Sequence, residues 1–420
     1  MKSRVCFFIA FRYLLGRARE GGRYLRGAAA GIAVSLVPII VTLIVADGMI
    51  HGIMDRYLEL GTGHLQVFNY MEPDRLEEAK EKIRKLEGIR GVWQEWRSMG
   101  ILSGKSGKTG AAVRAIEPSF WEDRGGRNYL VTRAGQAVLE SNRDMLLGEN
   151  IASAIGAEVG DTVRLMTIGT GAAGRIPRVS AFTVRGIVSS GYHELDALWC
   201  IISLEGGRRI LSPESTSASL IVKVDNPYSD ASLRAFPLFS RPDSGYNVYT
   251  WKELMRSQYS SYESTRQLLL FIMALIVIVA AVNVSSATSM LVIERQRDIA
   301  VLKVTGATVR GTRSIFIWGS FLTGLVGALA GITLGLLIGI NINPLIRSLE
   351  KFLSFISGLF RGSEVKILDP GFYLETIPIV IDRTAVFFIG CFTIICSCLA
   401  SWIPARRAGR LKPMELLRKY

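Results

Sequence analysis

Three residue types in this chain have the chemistry for a reaction centre, and their spacing decides whether any forms one. Residues 103–110, SGKSGKTG, interleave glycine, lysine and hydroxyls as phosphate-binding loops do. Such a loop needs two glycines five positions apart, so that backbone N–H groups wrap the phosphates and the lysine reaches the terminal ones. Counting back from Gly104-Lys105-Ser106 places Met99 where the first glycine belongs, and counting back from Gly107-Lys108-Thr109 places Leu102 there. The flanking segments RSMGILS (97–103) and TGAAVRAI (109–116) have the pattern of short strands, which predicts a glycine-rich hairpin turn instead. The histidines His51, His64 and His193 have no metal-ligand spacing, and there is no G-x-S-x-G nucleophile elbow. His51 has Asp47 and Asp55 four residues away on either side, hence on one helical face. Polar residues where a span leaves the bilayer account for this trio, with a proton relay as the alternative. No catalytic residue, cofactor or metal is expected.

The elements that would position any site are dictated by hydropathy. The chain has 420 residues, is 49% hydrophobic and has a mean hydropathy of +0.30, too apolar for an average soluble protein. Four apolar runs carry no charge: 27–46, 268–293, 314–340 and 384–405. Each has the roughly 20 residues needed to cross about 30 Å of hydrocarbon. The first follows 26 residues and lacks a small-x-small cleavage site at its outer end, so it is expected to be a retained span.

The net charge of +14 is carried entirely by residues 1–26, 294–313 and 403–420, while residues 50–267 hold 27 basic and 26 acidic side chains. Basic flanks concentrate on the cytoplasmic side of membrane helices, because Lys and Arg resist translocation and are drawn to anionic lipid. Nucleic-acid binding is therefore not expected. The N-terminus, the 294–313 loop and the C-terminal tail are placed inside, and residues 50–267 and 341–383 outside. SGKSGKTG then lies away from the ATP supply. Cys200 is the lone outer cysteine, so the outer domain must hold together by core packing.

The expected fold is an α-helical membrane protein with four transmembrane helices and a large α+β extracytoplasmic domain inserted between helices 1 and 2. Its divisions are an amphipathic cytoplasmic helix (1–26), span one (27–49), the outer domain (50–267), span two (268–293), a cytoplasmic loop (294–313), span three (314–340), an outer loop with an amphipathic helix (341–383), span four (384–405) and a tail (406–420). In the outer domain, strands are expected at 64–68, 92–102, 109–116, 181–188 and 219–224 and a helix at 73–86, in two subregions. Gly327, Gly331, Gly335 and Gly339 recur every four residues and make a smooth strip for close helix packing, within the chain or against a second subunit. Asn283, Ser285, Ser286 and Ser289 are expected to face protein, since an unpaired amide in hydrocarbon costs several kcal/mol.

Between spans two and three, ERQRDIAVLKVTGAT (294–308) resembles the E-x-x-x-[DE]-I-[AG]-x-L-[KR]-x-x-G-A segment of ABC-transporter permeases of the MacB/FtsX/LolC-LolE superfamily. The tail SWIPARRAGRLKPMELLR (401–418) is similar to that family's closing Y-P-A-R-R-A pattern. FIAFRYLLGRAREG near the N-terminus and GHLQVFN (63–69) resemble the lipoprotein-releasing LolC/LolE branch. This resemblance implies a MacB-like periplasmic domain, an FtsX-like permease domain over 268–413, and no ATPase of its own. It makes residues 294–306 a coupling helix docking into a separate cytoplasmic LolD-like ATPase, through Glu294, Arg297, Asp298, Ile299, Leu302, Lys303 and Gly306. By the same likeness the cargo is a lipoprotein, its acyl chains lying with membrane lipids near Ile39, Leu43, Leu268, Ile272 and Leu275. Gly174, Arg175, Ile176 and Pro177 would form a hook, tipped by Pro177, for a periplasmic lipoprotein carrier; a plain loop is the alternative. The resemblance also implies a second permease subunit, as a homodimer or a LolC/LolE-type heterodimer, and a bacterial inner-membrane location with both termini cytoplasmic. Export of another amphiphile or peptide, or FtsX-like control of a cell-wall hydrolase, are the rival functions.

Overall fold

Apolar runs of this length have one stable form in hydrocarbon, the helix, because every backbone N–H and C=O must be satisfied within the segment. The computed structural model describes residues 3–15, 22–68, 76–171, 174–212, 216–229, 246–359, 374 and 376–410. Among these, four helices are long and apolar enough to cross a membrane. The chain opens with α1 (Ser3–Leu15) and α2 (Gly22–Arg56), which runs into a π-helical turn, Tyr57–Thr62. A mixed α and β region follows: β1 (Leu65–Phe68), α3 (Leu76–Arg84), β2 (Ile89–Ser103), β3 (Lys108–Ile116), α4 (Arg124–Tyr129), β4 (Val131–Gly135), β5 (Asp144–Gly148), α5 (Glu149–Ile155), β6 (Thr162–Gly171), β7 (Gly174–Ser189), α6 (His193–Asp196), β8 (Trp199–Ser203), α7 (Leu204–Ile210), β9 (Ser217–Val224), β10 (Asn247–Thr250) and α8 (Trp251–Leu254). Then come α9 (Arg256–Glu294), α10 (Gln296–Val304), α11 (Val309–Ile340), α12 (Ile342–Leu359), α13 (Arg383–Ala400) and α14 (Trp402–Arg410).

Two compact units result, one of Met1–Gly48, Tyr262–Val365 and Ile377–Tyr420, the other of Met49–Ser261 and Lys366–Thr376. In the second unit the strands form a single mixed sheet in the order β10-β1-β9-β2-β3-β8-β5-β7-β4, with β6 pairing β2 and β7. The expected two subregions are thus joined. The parallel pairs β3–β8 and β5–β7 tie early strands to late ones. One face buries Leu102, Val113, Leu147, Val163, Leu165 and Phe182 under α5. The SGKSGKTG segment is the β2–β3 turn: Gly104 N donates to Gly107 O at 3.0 Å, and Ser103 pairs with Lys108.

In the first unit, α11 packs on α2 through its glycine strip. A Cβ placed on Gly335 would lie 2.7 Å from Ile40 Cβ, and one on Gly327 would lie 2.8 Å from the Ala29 carbonyl oxygen. The strip's neighbour in this structure is the chain's own first long helix. Of the polar residues of α9, Ser285 and Ser289 are half-buried and the other two are not. Asn283 and Ser286 are exposed on this chain, and the buried hydroxyl is Thr288, 3.1 Å from Ser320 Oγ. Ser286 and Ser289 bond the carbonyls of Val282 and Ser285 on their own helix, which removes their need for a protein partner.

Candidate functional site

The segment between α9 and α11 is short, so its register is set by what it buries. Ile299 is buried among Cys6, Ala10, Leu291, Ile315, Phe316, Ala405 and Ala408, with Leu302 half-buried against the same cluster, and Ala300 is buried as well. Lys303 Nζ donates to the Gly409 carbonyl oxygen at 2.7 Å. Asp298 is held by Arg295, 3.0 Å away. The exposed residues from the end of α9 through α10 are therefore Glu294, Arg297, Val301 and Val304 and, past the end of α10, Thr305 and Gly306, whose φ of 97° lets the chain turn toward α11. Burial thus divides the residues of the expected docking set. Ile299 is buried and Leu302 half-buried, and the apolar groups of α10 most exposed are Val301 and Val304, 54% and 67% exposed.

β6 and β7 form a long antiparallel ribbon whose last described rung pairs Gly171 with Gly174; residues 172 and 173 lie outside the described residues. Pro177 is paired with Ile168, three rungs from that end, so it does not tip the ribbon as expected. A proline fits there because β7 takes its other partners, β4 and β5, only from Thr183 onward, which leaves its N–H side unpaired at 177. Gly174 and Arg175 lie in the same strand, and Ile176 and Pro177 are exposed. Across this ribbon Ile101, Met166 and Val179 form one exposed apolar row.

The five residues expected to meet acyl chains are not gathered on one surface. Ile39 and Leu43 are buried in the seam with Met273, Val277 and Val284, whereas Leu268, Ile272 and Leu275 are exposed along α9. Near them, Arg266 of α9 links two other elements. Its Nε donates to Asp47 Oδ1 of α2 at 2.9 Å, and its Nη2 donates to Asp382 Oδ2 at 2.8 Å. Asp382 in turn caps α13 by accepting from Thr384 N and Ala385 N. Asp47 is buried, so the trio sequence reading placed at a span end is divided: Asp47 binds Arg266, while Asp55 accepts from Tyr129 and Tyr228.

The profile of the MacB-like periplasmic core domain matches residues 27–235, and that of the FtsX-like permease C-terminal region matches residues 270–413. The lipoprotein-releasing system transmembrane protein LolC of Neisseria meningitidis is 30% identical over 277 residues, spanning 66% of this chain and 65% of that one, just under two thirds of its length. LolC of Xylella fastidiosa is 27% identical over 416 residues, 98% of each chain. LolE of Haemophilus influenzae is 23% identical over 424 residues, 99% of each. The chain belongs to the MacB/FtsX/LolC-LolE superfamily of permeases. Its four long apolar helices, among the described residues, fit a multi-pass membrane protein.

In the permease's MacB-like unit, sequence reasoning missed the charges that grip the π-helical turn. Arg114, buried between β3 neighbours, donates to Glu95 Oε1 at 2.5 Å and to the carbonyl oxygens of Leu60 and Gly61 at 2.5 and 3.1 Å. Arg97 reaches Gly61 O at 2.6 Å. Lys223, fully buried, lies 3.0 Å from Glu59 and 2.8 Å from Asp123, with its ammonium 4.5 Å from the Phe120 ring centre. His64 is buried beside them, its Nδ1 accepting from Val224 N at 2.8 Å and its Nε2 3.4 Å from Glu59 Oε1. Burial lowers the His64 pKa more than Glu59 raises it, so the ring is neutral. A helix end leaves its last carbonyls without partners inside the helix, and Arg114 and Arg97 satisfy those of Leu60 and Gly61. The only advance signal was a Lys and an Arg at inward positions of otherwise apolar strands.

Proposed function

We propose that this permease couples ATP hydrolysis by a separate cytoplasmic ATPase to release of lipoproteins from the inner membrane toward the outer membrane. The observation that carries this reading is likeness over nearly the whole length to chains named for lipoprotein release, LolC and LolE. The basic inner segments support an orientation with both termini and α10 in the cytoplasm and the MacB-like unit in the periplasm. Val301 and Val304, flanked by Glu294 and Arg297, are the side chains an ATPase would grip, because they alone on α10 combine apolar character with exposure. A second permease subunit, this chain's copy or a relative, would complete the translocation path. The exposed stripe of Leu268, Ile272 and Leu275 on α9 is the surface left for acyl chains and membrane lipid. The exposed ribbon bearing Ile176 and Pro177 is the surface proposed for a periplasmic carrier.

Coupling requires contacts that differ between two states of the ATPase, since a partner with equal affinity for both shifts nothing. The test is reconstitution of the purified complex with a radiolabelled triacylated lipoprotein, ATP and a soluble carrier. Transfer to the carrier that depends on ATP is expected. A complex that hydrolyses ATP yet moves no lipoprotein, or that co-purifies with a cell-wall hydrolase instead, rejects this reading.

A further inference from the structure

α1 and α10 face one another across a cleft of about 470 Å³ lined by Phe8, Arg12, Tyr13, Arg295, Asp298 and Val301. Its floor is ordered: the Arg295 guanidinium stands 5.2 Å above the Tyr13 ring and holds Asp298 at 3.0 Å. Burial, with Asp298 beside it, pushes the Tyr13 hydroxyl up to about 12, so the floor carries no phenolate. Arg295 neutralises Asp298, which leaves the cleft with the exposed guanidinium of Arg12 between the apolar groups Phe8 and Val301. The elements that pack with α1 and α10 carry further exposed cations: Arg297 on α10, Arg310 on α11, and Arg406, Arg407 and Arg410 on α14.

α1 has a second side. Phe11 faces a different groove, lined by Arg26, Ala29, Ala33, Val326 and Ala330 of the long helices α2 and α11. The helix thus separates a groove walled by spans, which suits lipid, from a cleft walled by the segment that links spans two and three. The cleft is amphipathic and basic, a shape suited to a carboxylate with an apolar neighbour. We propose that it seats an acidic side chain and an adjoining apolar one from the cytoplasmic ATPase, with Arg12 as charge partner, so that α1 is the second wall of the docking site. This rests on the coupling reading of α10 and extends it to a helix that reading does not use. An arginine there gives a planar fork matched to a carboxylate.

The experiment places a photo-crosslinking phenylalanine analogue at Phe8 or at Val301 in the intact complex, with the ATPase subunit marked by azido-ATP. Both positions are expected to crosslink to the azido-ATP-labelled subunit. Arg12→Glu is expected to lower the labelled subunit recovered with the permease by about tenfold, while Arg12→Lys retains more of it than Arg12→Glu does. Crosslinking at Val301 with only lipid captured at Phe8 overturns this inference and leaves coupling through α10 intact. The same holds if Phe8 captures another protein, or if Arg12→Glu recovers the labelled subunit in full. Failure at both positions overturns the inference and the coupling reading together.

Discussion

At Gly331 a Cβ would stand 2.8 Å from Leu36 Cβ and 2.9 Å from the Ala33 carbonyl oxygen, whereas at Gly31 nothing stands within 4 Å. Two glycines of similar sequence context thus have opposite tolerances. Gly331→Val must push α11 off α2, an overpacking expected to cost about 1–3 kcal/mol. Gly31→Val should stay within about 0.5 kcal/mol. Thermal unfolding of the two variants in detergent decides it, and equal midpoints would refute the packing. His64 makes a pH-dependent prediction. Its folded pKa lies below the ordinary value near 6.5, so the unfolded chain takes up the proton first and stability falls as pH drops below about 6.5. Stability is held in full above that value. The midpoint of unfolding should decline between about pH 7 and pH 5, and His64→Gln should flatten that part of the curve. An unchanged slope would mean the histidine is already charged in the fold, against the Val224 N–H that its Nδ1 accepts.

Among the elements, helix positions were legible from hydropathy, yet the face each presents was not. On α10 the sequence offers Ile299, Val301, Leu302 and Val304 as equals. Which two turn inward depends on α1 and α14, whose Cys6, Ala10, Ala405 and Ala408 come from the two ends of the chain. Likewise Pro177 reads as a turn tip until the strand pairing shows the ribbon running on past it. The Arg266 tie is the clearest long-range case, since α2, α9 and α13 meet in it across 219 and 116 residues of chain. Arg266→Met removes the arginine that pairs with the buried Asp47 carboxylate, a loss of about 1–3 kcal/mol. Adding Asp47→Asn should recover part of it, because the charge is gone along with its partner. A double-mutant cycle on unfolding midpoints is expected to return a coupling of about 1–3 kcal/mol. Strict additivity of the two losses would show that the three helices are held together by packing alone.

For the whole molecule, the segregation of charge is the property from which the functional direction follows. Three segments far apart in sequence carry the entire positive excess. In the first unit α1, α10 and α14, drawn from those segments, pack on one another around the start of α11, where Cys6 lies against Gly311 and the Lys303 ammonium reaches Gly409. They therefore share one end of the helical unit, and because a bilayer retains Lys and Arg on its cytoplasmic side, that end is expected to face the cytoplasm. The opposite sense would carry these cations across the hydrocarbon and present α10 to a compartment without ATP. Chemical labelling tests this in a background lacking the native cysteines. Val304→Cys uses the most exposed apolar position of α10, and Lys105→Cys uses the β2–β3 turn, where Lys105 is an exposed partner of Asp161. An impermeant maleimide that passes the outer membrane should modify position 105 in intact cells and reach position 304 only after the inner membrane is opened. Labelling of position 304 in intact cells, or protection of 105, would invert the chain and remove the physical basis for coupling to a cytoplasmic ATPase.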